Sequence, residues 1–236
     1  MKFAYLIEPP FNFIDADGRV TGCDVELARY VFGELDIAEF EPVETEFSEL
    51  LPGLGDGRWH MTTGMFGTDE RRVHARFSRP IWALSDGLLV KNGNPHNLTG
   101  YKSVAENADI VLAVISDQVQ HRFAVEFGVS EDRIVVFETY TEAANSVKEG
   151  RVDAYASVGR AHNGFIALHS HWGFAMVSIP YEEKPPTFGS FAFGLSDTGL
   201  VHQVDEVLAS FLGSEAHRDM LDDFGFSDSD VDLVVR

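Results

Sequence analysis

Short apolar runs bounded by turn residues alternate along this chain with stretches whose apolar positions recur every three or four residues. That alternation predicts an α/β protein with largely parallel sheets. Residues 3–7 read as the first strand. Asp24 is placed to cap a helix whose stripe is Ala28, Val31, Phe32 and Leu35, at spacing i, i+3, i+4, i+7. Residues 40–43 read as the next strand. Ser48 then caps a short helix holding Leu50, Leu51 and Leu54. Residues 61–65 read as a strand, and Thr68 opens another helix through an acidic first turn.

A second unit follows. Residues 110–115 are almost wholly apolar, as in a strand covered on both faces. A helix with Val119, Phe123 and Phe127 on one side comes next, then a strand at 133–137. Thr141 is placed to cap a helix with Ala144 and Val147; strands are expected at 152–157 and 174–179. Glu182-Glu183-Lys184-Pro185-Pro186 interrupts regular structure, and residues 190–195 read as a strand. Two helices end the chain, with Val204, Val207, Leu208 and Phe211 on the first and Met220, Leu221 and Phe224 on the second. The stretches near 87–91 and 186–191 read as paired connections. They divide the chain into a discontinuous first lobe, 1–88 plus 187–236, and a second lobe, 89–186, with a ligand cleft between lobes that closes by hinging.

Charge and composition narrow the function. Among 236 residues, 38 acids stand against 18 bases, for a net charge of -20. Such a surface repels nucleic acid and anionic lipid. It fits a solubilising acidic surface or adaptation to a salty habitat, where repulsion is screened. Cys23 is the single cysteine, so no internal disulfide forms; beside apolar helix positions it reads as a small buried residue. No apolar run approaches the ~20 residues that span a bilayer. Met1-Lys2 runs directly into the first strand without a secretory h-region, so the protein is either cytosolic or a mature part whose leader has been removed. His169-Ser170-His171 has no Cys or acid at ligand spacing and reads as solvated histidines, not a metal site. Neither a Gly-x-Ser-x-Gly elbow nor a P-loop occurs, and no cofactor or catalytic residue is expected.

The candidate chemistry lies in two stretches. Ile7-Glu8-Pro9-Pro10-Phe11-Asn12-Phe13 places an acid and two aromatics after a strand; Gly64-Met65-Phe66-Gly67-Thr68-Asp69-Glu70-Arg71 places an aromatic and an arginine at the end of another. An acid, an arginine and aromatic faces suit a small molecule carrying both charges, and suggest capture more than catalysis.

Further markers are Gly18-x-x-x-Gly22-x-Asp24-Val25-Glu26-Leu27-Ala28, Phe47-x-x-Leu50-x-Pro52-x-Leu54-x-x-Gly57-Arg58, Phe77-Ser78-x-Pro80 and Gly150-Arg151-Val152-Asp153-Ala154. In this order they resemble, over nearly the whole chain, the bacterial extracellular solute-binding proteins of ABC importers, amino-acid type. The resemblance implies the periplasmic binding protein type II fold, with two lobes, two hinge-connecting strands and an interlobe cleft. It also implies a monomer serving permease subunits from the periplasm, with the leader removed. In that family the arginine of the Thr-x-x-Arg turn binds the ligand carboxylate. Here that is Arg71, with Arg72 as neighbouring fallback; a guanidinium fork matches a carboxylate with two charge-assisted bonds. Phe11 and Phe47 match the stacking aromatics, Phe66 is a third, Gly64 lies in the same turn, and Phe13 reads as core. Glu8 matches the acid carried by members that bind cationic or zwitterionic solutes. The set is similar to ectoine-binding members.

Two features depart from the family pattern. Amino-acid binders place an acid just after the Gly-Arg-x-Asp-Ala strand, where this chain has Tyr155-Ala156-Ser157-Val158. Their glycine-threonine turn before the second-lobe helix is here Ser116-Asp117-Gln118. Asp117 opposes an anion there and instead suits a positive group, while Gln118 offers an amide. The expected solute is therefore ectoine, hydroxyectoine or a similar zwitterion or cation, with a polar or basic amino acid as the alternative. The enzyme alternative is a cyclohexadienyl or prephenate-type dehydratase on the same fold, with Glu8 as its acid or base.

Overall fold

In the computed structural model, which describes residues 1–235, these residues form two compact units: 1–83 with 187–235, and 84–186. No helix among the described residues is long and apolar enough to cross a membrane.

The first unit is built on a five-stranded sheet in the order Glu41–Glu44, Lys2–Tyr5, Met61–Thr62, Ala192–Phe193, Arg76–Phe77. The first three strands are parallel; Ala192–Phe193 is antiparallel to both its neighbours. The run expected as one strand at 190–195 is therefore two: Thr187–Ser190, antiparallel to Met65–Phe66 in a small second sheet, and Ala192–Phe193. Phe191 between them is fully buried against Phe3. Helix Cys23–Glu34 buries Ala28, Val31 and Phe32 of the predicted stripe together with Val25, while Leu35, the fourth predicted member, is the half-buried C-cap residue.

The cap of that helix is not the predicted one. Gly22 is the N-cap residue, with φ 126°, and a β-carbon there would lie 2.1 Å from the carbonyl oxygen of Phe11. Only glycine lets the first loop come this close, and the helix start closes on it: the N–H of Cys23 donates to Pro10 and that of Asp24 to Phe11. Asp24 lies inside the helix, 1% exposed, with its carboxylate turned to the core. Oδ2 accepts from Thr63 Oγ1 at 2.6 Å and from the Gly64 N–H at 2.7 Å. Oδ1 accepts from Trp82 Nε1 at 3.1 Å and from Cys23 Sγ at 3.6 Å. Thr63 in turn accepts from Asn12 Nδ2 at 2.8 Å. Burial pushes the Asp24 carboxyl up while these donors pull it back.

The second unit has a five-stranded sheet in the order Ile134–Phe137, Leu112–Ile115, Ala154–Val158, Asp86–Lys91, Phe174–Ser178. Its first three strands are parallel. Residues 87–91, expected as a connection, are an interior strand, antiparallel to both its neighbours, so the sheet is mixed. Leu88, Val90, Tyr101, Val104, Leu112 and Val114 make the core beneath it. Helix Tyr140–Glu149 is capped by Thr139, not Thr141, through a reciprocal pair: Thr139 Oγ1 accepts from the Glu142 N–H, and Glu142 accepts from that of Thr139.

Asp86 and His162 are among the buried polar groups of this unit. Asp86 Oδ2 accepts from Tyr101 Oη at 2.8 Å and pairs with Lys184 Nζ at 3.4 Å, and Oδ1 accepts from Gln120 Nε2 at 3.2 Å. His162 is fully buried, with Nε2 3.2 Å from the Gly87 carbonyl and Nδ1 2.6 Å from Tyr140 Oη. A carbonyl only accepts, so Nε2 carries the proton and Nδ1 accepts from the tyrosine. Desolvation lowers the His162 pKa from 6.5 to about 3.

Two outcomes are expected. Asp24→Asn replaces an acceptor-only group with an amide that sets an N–H against donors, and should lower unfolding stability by about 2 kcal/mol in urea titrations. An unchanged midpoint would contradict the tie. His162 stays neutral when folded, whereas the unfolded chain takes up a proton below pH 6.5. Its contribution to stability is therefore complete above pH 6.5 and is lost as pH falls toward about 3. The ring resonances of His162 in the folded protein should show no titration between pH 7 and pH 5; a midpoint near 6.5 by NMR would refute this.

Candidate functional site

The predicted residues of the first unit form one run of touching groups. Thr68 caps the single helical turn Asp69–Arg72, its hydroxyl accepting from the Arg71 N–H at 3.3 Å. This aims Arg71 back along the preceding strand, where Nη1 donates to the Phe66 carbonyl at 2.9 Å. The guanidinium then lies over the Phe47 ring, 5.0 Å from its centroid. Phe47 opens the one-turn 3-10 helix Phe47–Glu49 and is half-buried against Leu50 and its neighbours. The geometry is that of a planar cation laid on an aromatic face and fixed at one corner by a carbonyl, an arrangement suited to a carboxylate partner.

Phe66 continues the run. Its ring meets the indole of Trp82 edge to face at 5.5 Å, and Phe11 lies 5.6 Å from the same indole on another side. Phe11 also meets Phe226, and it is 3% exposed. Both phenylalanines are thus buried supports of the wall in this structure, with Phe66 6% exposed. Phe13, read as core, is half-buried against Phe224. Gly64 touches the run through its backbone, donating to Asp24, and through its missing side chain, since a β-carbon there would lie 2.7 Å from the Trp82 ring. Glu8 opens the tight turn that carries Phe11: its carbonyl accepts from the N–H groups of Phe11 and Asn12, its own N–H donates to the Asn12 carbonyl, and it is half-buried.

In the second unit Asp117 is exposed with φ 60° and turns the chain from strand Leu112–Ile115 into helix Val119–Glu126. Gln118 is the N-cap of that helix, 8% exposed, and its Oε1 is buried with no hydrogen-bond partner among the described residues. The strand after Asp153 buries Tyr155, Ala156, Ser157 and Val158, none of which is an acid. Among the described residues no group of three or more His, Cys, Asp or Glu is placed to hold a metal ion.

Sequence reasoning did not assign the supporting role of Asn12, Asp24, Thr63 and Trp82, which hold this wall up. Trp82 is wedged between Gly64 and Gly189, where β-carbons would come within 2.7 and 1.9 Å of its ring. The available signal was the pair of glycines and a tryptophan two residues after the Phe77-Ser78-x-Pro80 run.

The chain is similar to known proteins over most of its length. The chain is similar to a probable amino-acid ABC transporter periplasmic-binding protein of Sinorhizobium fredii, 28% identical over 228 residues, covering 93% of this chain and 74% of the relative. It is similar to the arginine-binding protein ArgT of Corynebacterium glutamicum, 28% identical over 195 residues, covering 79% of this chain and 61% of the relative. Among solved structures, EhuB in complex with hydroxyectoine superposes with a TM-score of 0.88 at 28% identity, covering 98% of this chain and 90% of EhuB. An ancestral arginine-binding protein bound to arginine shares the fold, with a TM-score of 0.82 at 20% identity over 94% of this chain and 96% of its own. The description "bacterial extracellular solute-binding proteins, family 3" matches residues 2–225, and the chain belongs to that family.

Proposed function

We propose that this protein is the solute-binding component of an ABC importer and captures a small zwitterion of the ectoine or hydroxyectoine type. The observation that carries the reading is Arg71, laid over Phe47 and fixed by the Phe66 carbonyl. A guanidinium held in one orientation gives a carboxylate a partner with little ordering left to do. Support for the solute class comes from EhuB, which was solved with hydroxyectoine and shares 28% identity. Glu8 is proposed to meet the cationic part of the solute, and Phe11 and Phe66 to shape the wall through Trp82. The run Tyr155 to Val158, which carries no acid, supports a solute without a free α-ammonium over an ordinary amino acid. Several relatives are named for arginine, so a basic amino acid is the alternative that a titration must exclude.

The protein is proposed to act outside the cytoplasm, as a monomer that hands its solute to permease subunits, and to leave the solute chemically unchanged. Prephenate incubated with it should be recovered without aromatic product.

Calorimetric titration with hydroxyectoine, ectoine, arginine and glutamine tests the reading. Hydroxyectoine or ectoine should bind most tightly. Arg71→Ala should weaken that binding between about tenfold and about 100-fold, since it leaves the solute carboxylate without its charged partner. Equal affinity in the variant would remove Arg71 from the site, and tighter binding of arginine would replace the solute class. Glu8→Gln should weaken cation-bearing solutes more than neutral ones, and equal losses would end its proposed role.

A further inference from the structure

The arginine next to Arg71 takes a different course. Arg72 turns its guanidinium over the Phe77 ring, 5.0 Å from the centroid, and Nε donates to the Gly67 carbonyl at 2.9 Å. Arg76, at the edge of the five-stranded sheet, donates from Nε to the Leu195 carbonyl at 2.6 Å. Both line a cavity of about 400 Å³ in the first unit, together with Ala75, Phe77, Leu195, Thr198 and Val201. That volume lies within the range of ligand pockets, about 300–1,000 Å³.

The charge at this place is unusual for the molecule. Acids outnumber bases by 38 to 18, so arginines should be the scarce partner in ion pairs. Four others in this unit behave so: Arg19 and Arg29 pair with Glu26, Arg58 with Glu49, and Arg218 with Asp228 and Asp232. Arg72 and Arg76 instead direct Nε to backbone carbonyls, and among the described residues neither is ion-paired with a carboxylate. Nε is the inner nitrogen of the fork, so these bonds fix one corner of each guanidinium and leave N–H donors on its terminal nitrogens. Thr198 adds a hydroxyl and begins helix Thr198–Phe211, whose N-terminal end favours negative charge. Asp197, the N-cap residue, accepts from Ser196 Oγ at 3.4 Å and does not line the cavity. Asp205, further along the helix, accepts from the Arg79 N–H. The remaining wall is apolar, and Leu195 is left half exposed at it.

We propose that Arg72, Arg76 and Thr198 form a second binding site on the first unit, for a carboxylate carried on an apolar body. The two guanidiniums and the hydroxyl take the carboxylate, while Ala75, Phe77, Leu195 and Val201 take the hydrocarbon. This site does not use Arg71, Phe47 or Glu8, and it stands or falls independently of the solute reading.

Benzoate, benzamide and inorganic phosphate are the probes, titrated into the full chain and followed by amide NMR shifts. Benzoate should saturate one site, with shifts at residues 72–77 and 195–201. Benzamide lacks the charge and phosphate lacks the apolar body, and each should bind at least about tenfold more weakly. The Arg72→Gln, Arg76→Gln double variant should lose benzoate at least tenfold, with the double Lys variant in between because it keeps charge without the fork. If the Gln variant fails to fold, Thr198→Glu, which places a carboxylate at the cavity, should cause the same loss. Arg71→Ala should leave benzoate binding intact. No saturation up to about 10 mM, equal binding of benzamide, unaltered binding in a folded Gln variant or in Thr198→Glu, or loss in Arg71→Ala would each overturn the proposal.

Discussion

A single buried carboxylate organises the first unit. Asp24 receives donors from the start of its own helix, from the end of strand Met61–Thr62 and from an indole, and through Thr63 it reaches Asn12 in the first loop. All of its partners donate, so the group serves as an acceptor on both oxygens, which an amide cannot do. A buried carboxylate is tolerable only under such saturation. What it secures is position. The indole it holds supports Phe11 and Phe66, and the carbonyl of Phe66 holds Arg71 over Phe47. The proposed recognition chemistry is thus at the end of a mechanical chain whose first link is inside the protein.

The second unit handles a similar problem differently. Asp86 is as deeply buried, but its surroundings include a cation, Lys184, whose ammonium also lies over the Phe123 ring at 4.3 Å. Desolvation pushes the Asp86 carboxyl up; the lysine charge and the hydrogen bonds from Tyr101 and Gln120 oppose it. Lys184 belongs to the segment that the sequence marks as a break, so a stretch without regular structure is anchored by one charge pair. Taking both charges out of water offsets much of their attraction, so such a pair is weak evidence of net stability.

Much of this was readable in the chain. The stripe of helix Cys23–Glu34, the buried strand at Leu112–Ile115 and the Thr68 cap depend on residues a few positions apart, and local spacing carries that information. Asp24 was legible as a motif residue but not as an anchor, because its partners Thr63, Gly64 and Trp82 lie 39, 40 and 58 positions away. The run from Gly87 to Val90 is equally apolar whichever way it pairs, so periodicity could not reveal an antiparallel strand in the middle of the sheet. Spacing also could not say which way a ring points: Phe11 and Phe47 share one motif logic, yet one is buried on Trp82 and the other carries a guanidinium on its face. Thr139 was missed as a cap although Thr139-x-x-Glu142 is the recognisable pattern, since Thr141 stood equally near the helix start.

The same corner of the first unit also settles the fate of the one sulfhydryl. Cys23 is 1% exposed, and the neighbouring carboxylate together with burial raises its thiol well above the ordinary value. Almost no thiolate forms, so oxidants and disulfide exchange find nothing to attack while the corner is closed. Modification of this sulfur by a thiol reagent would therefore count the moments when that corner opens.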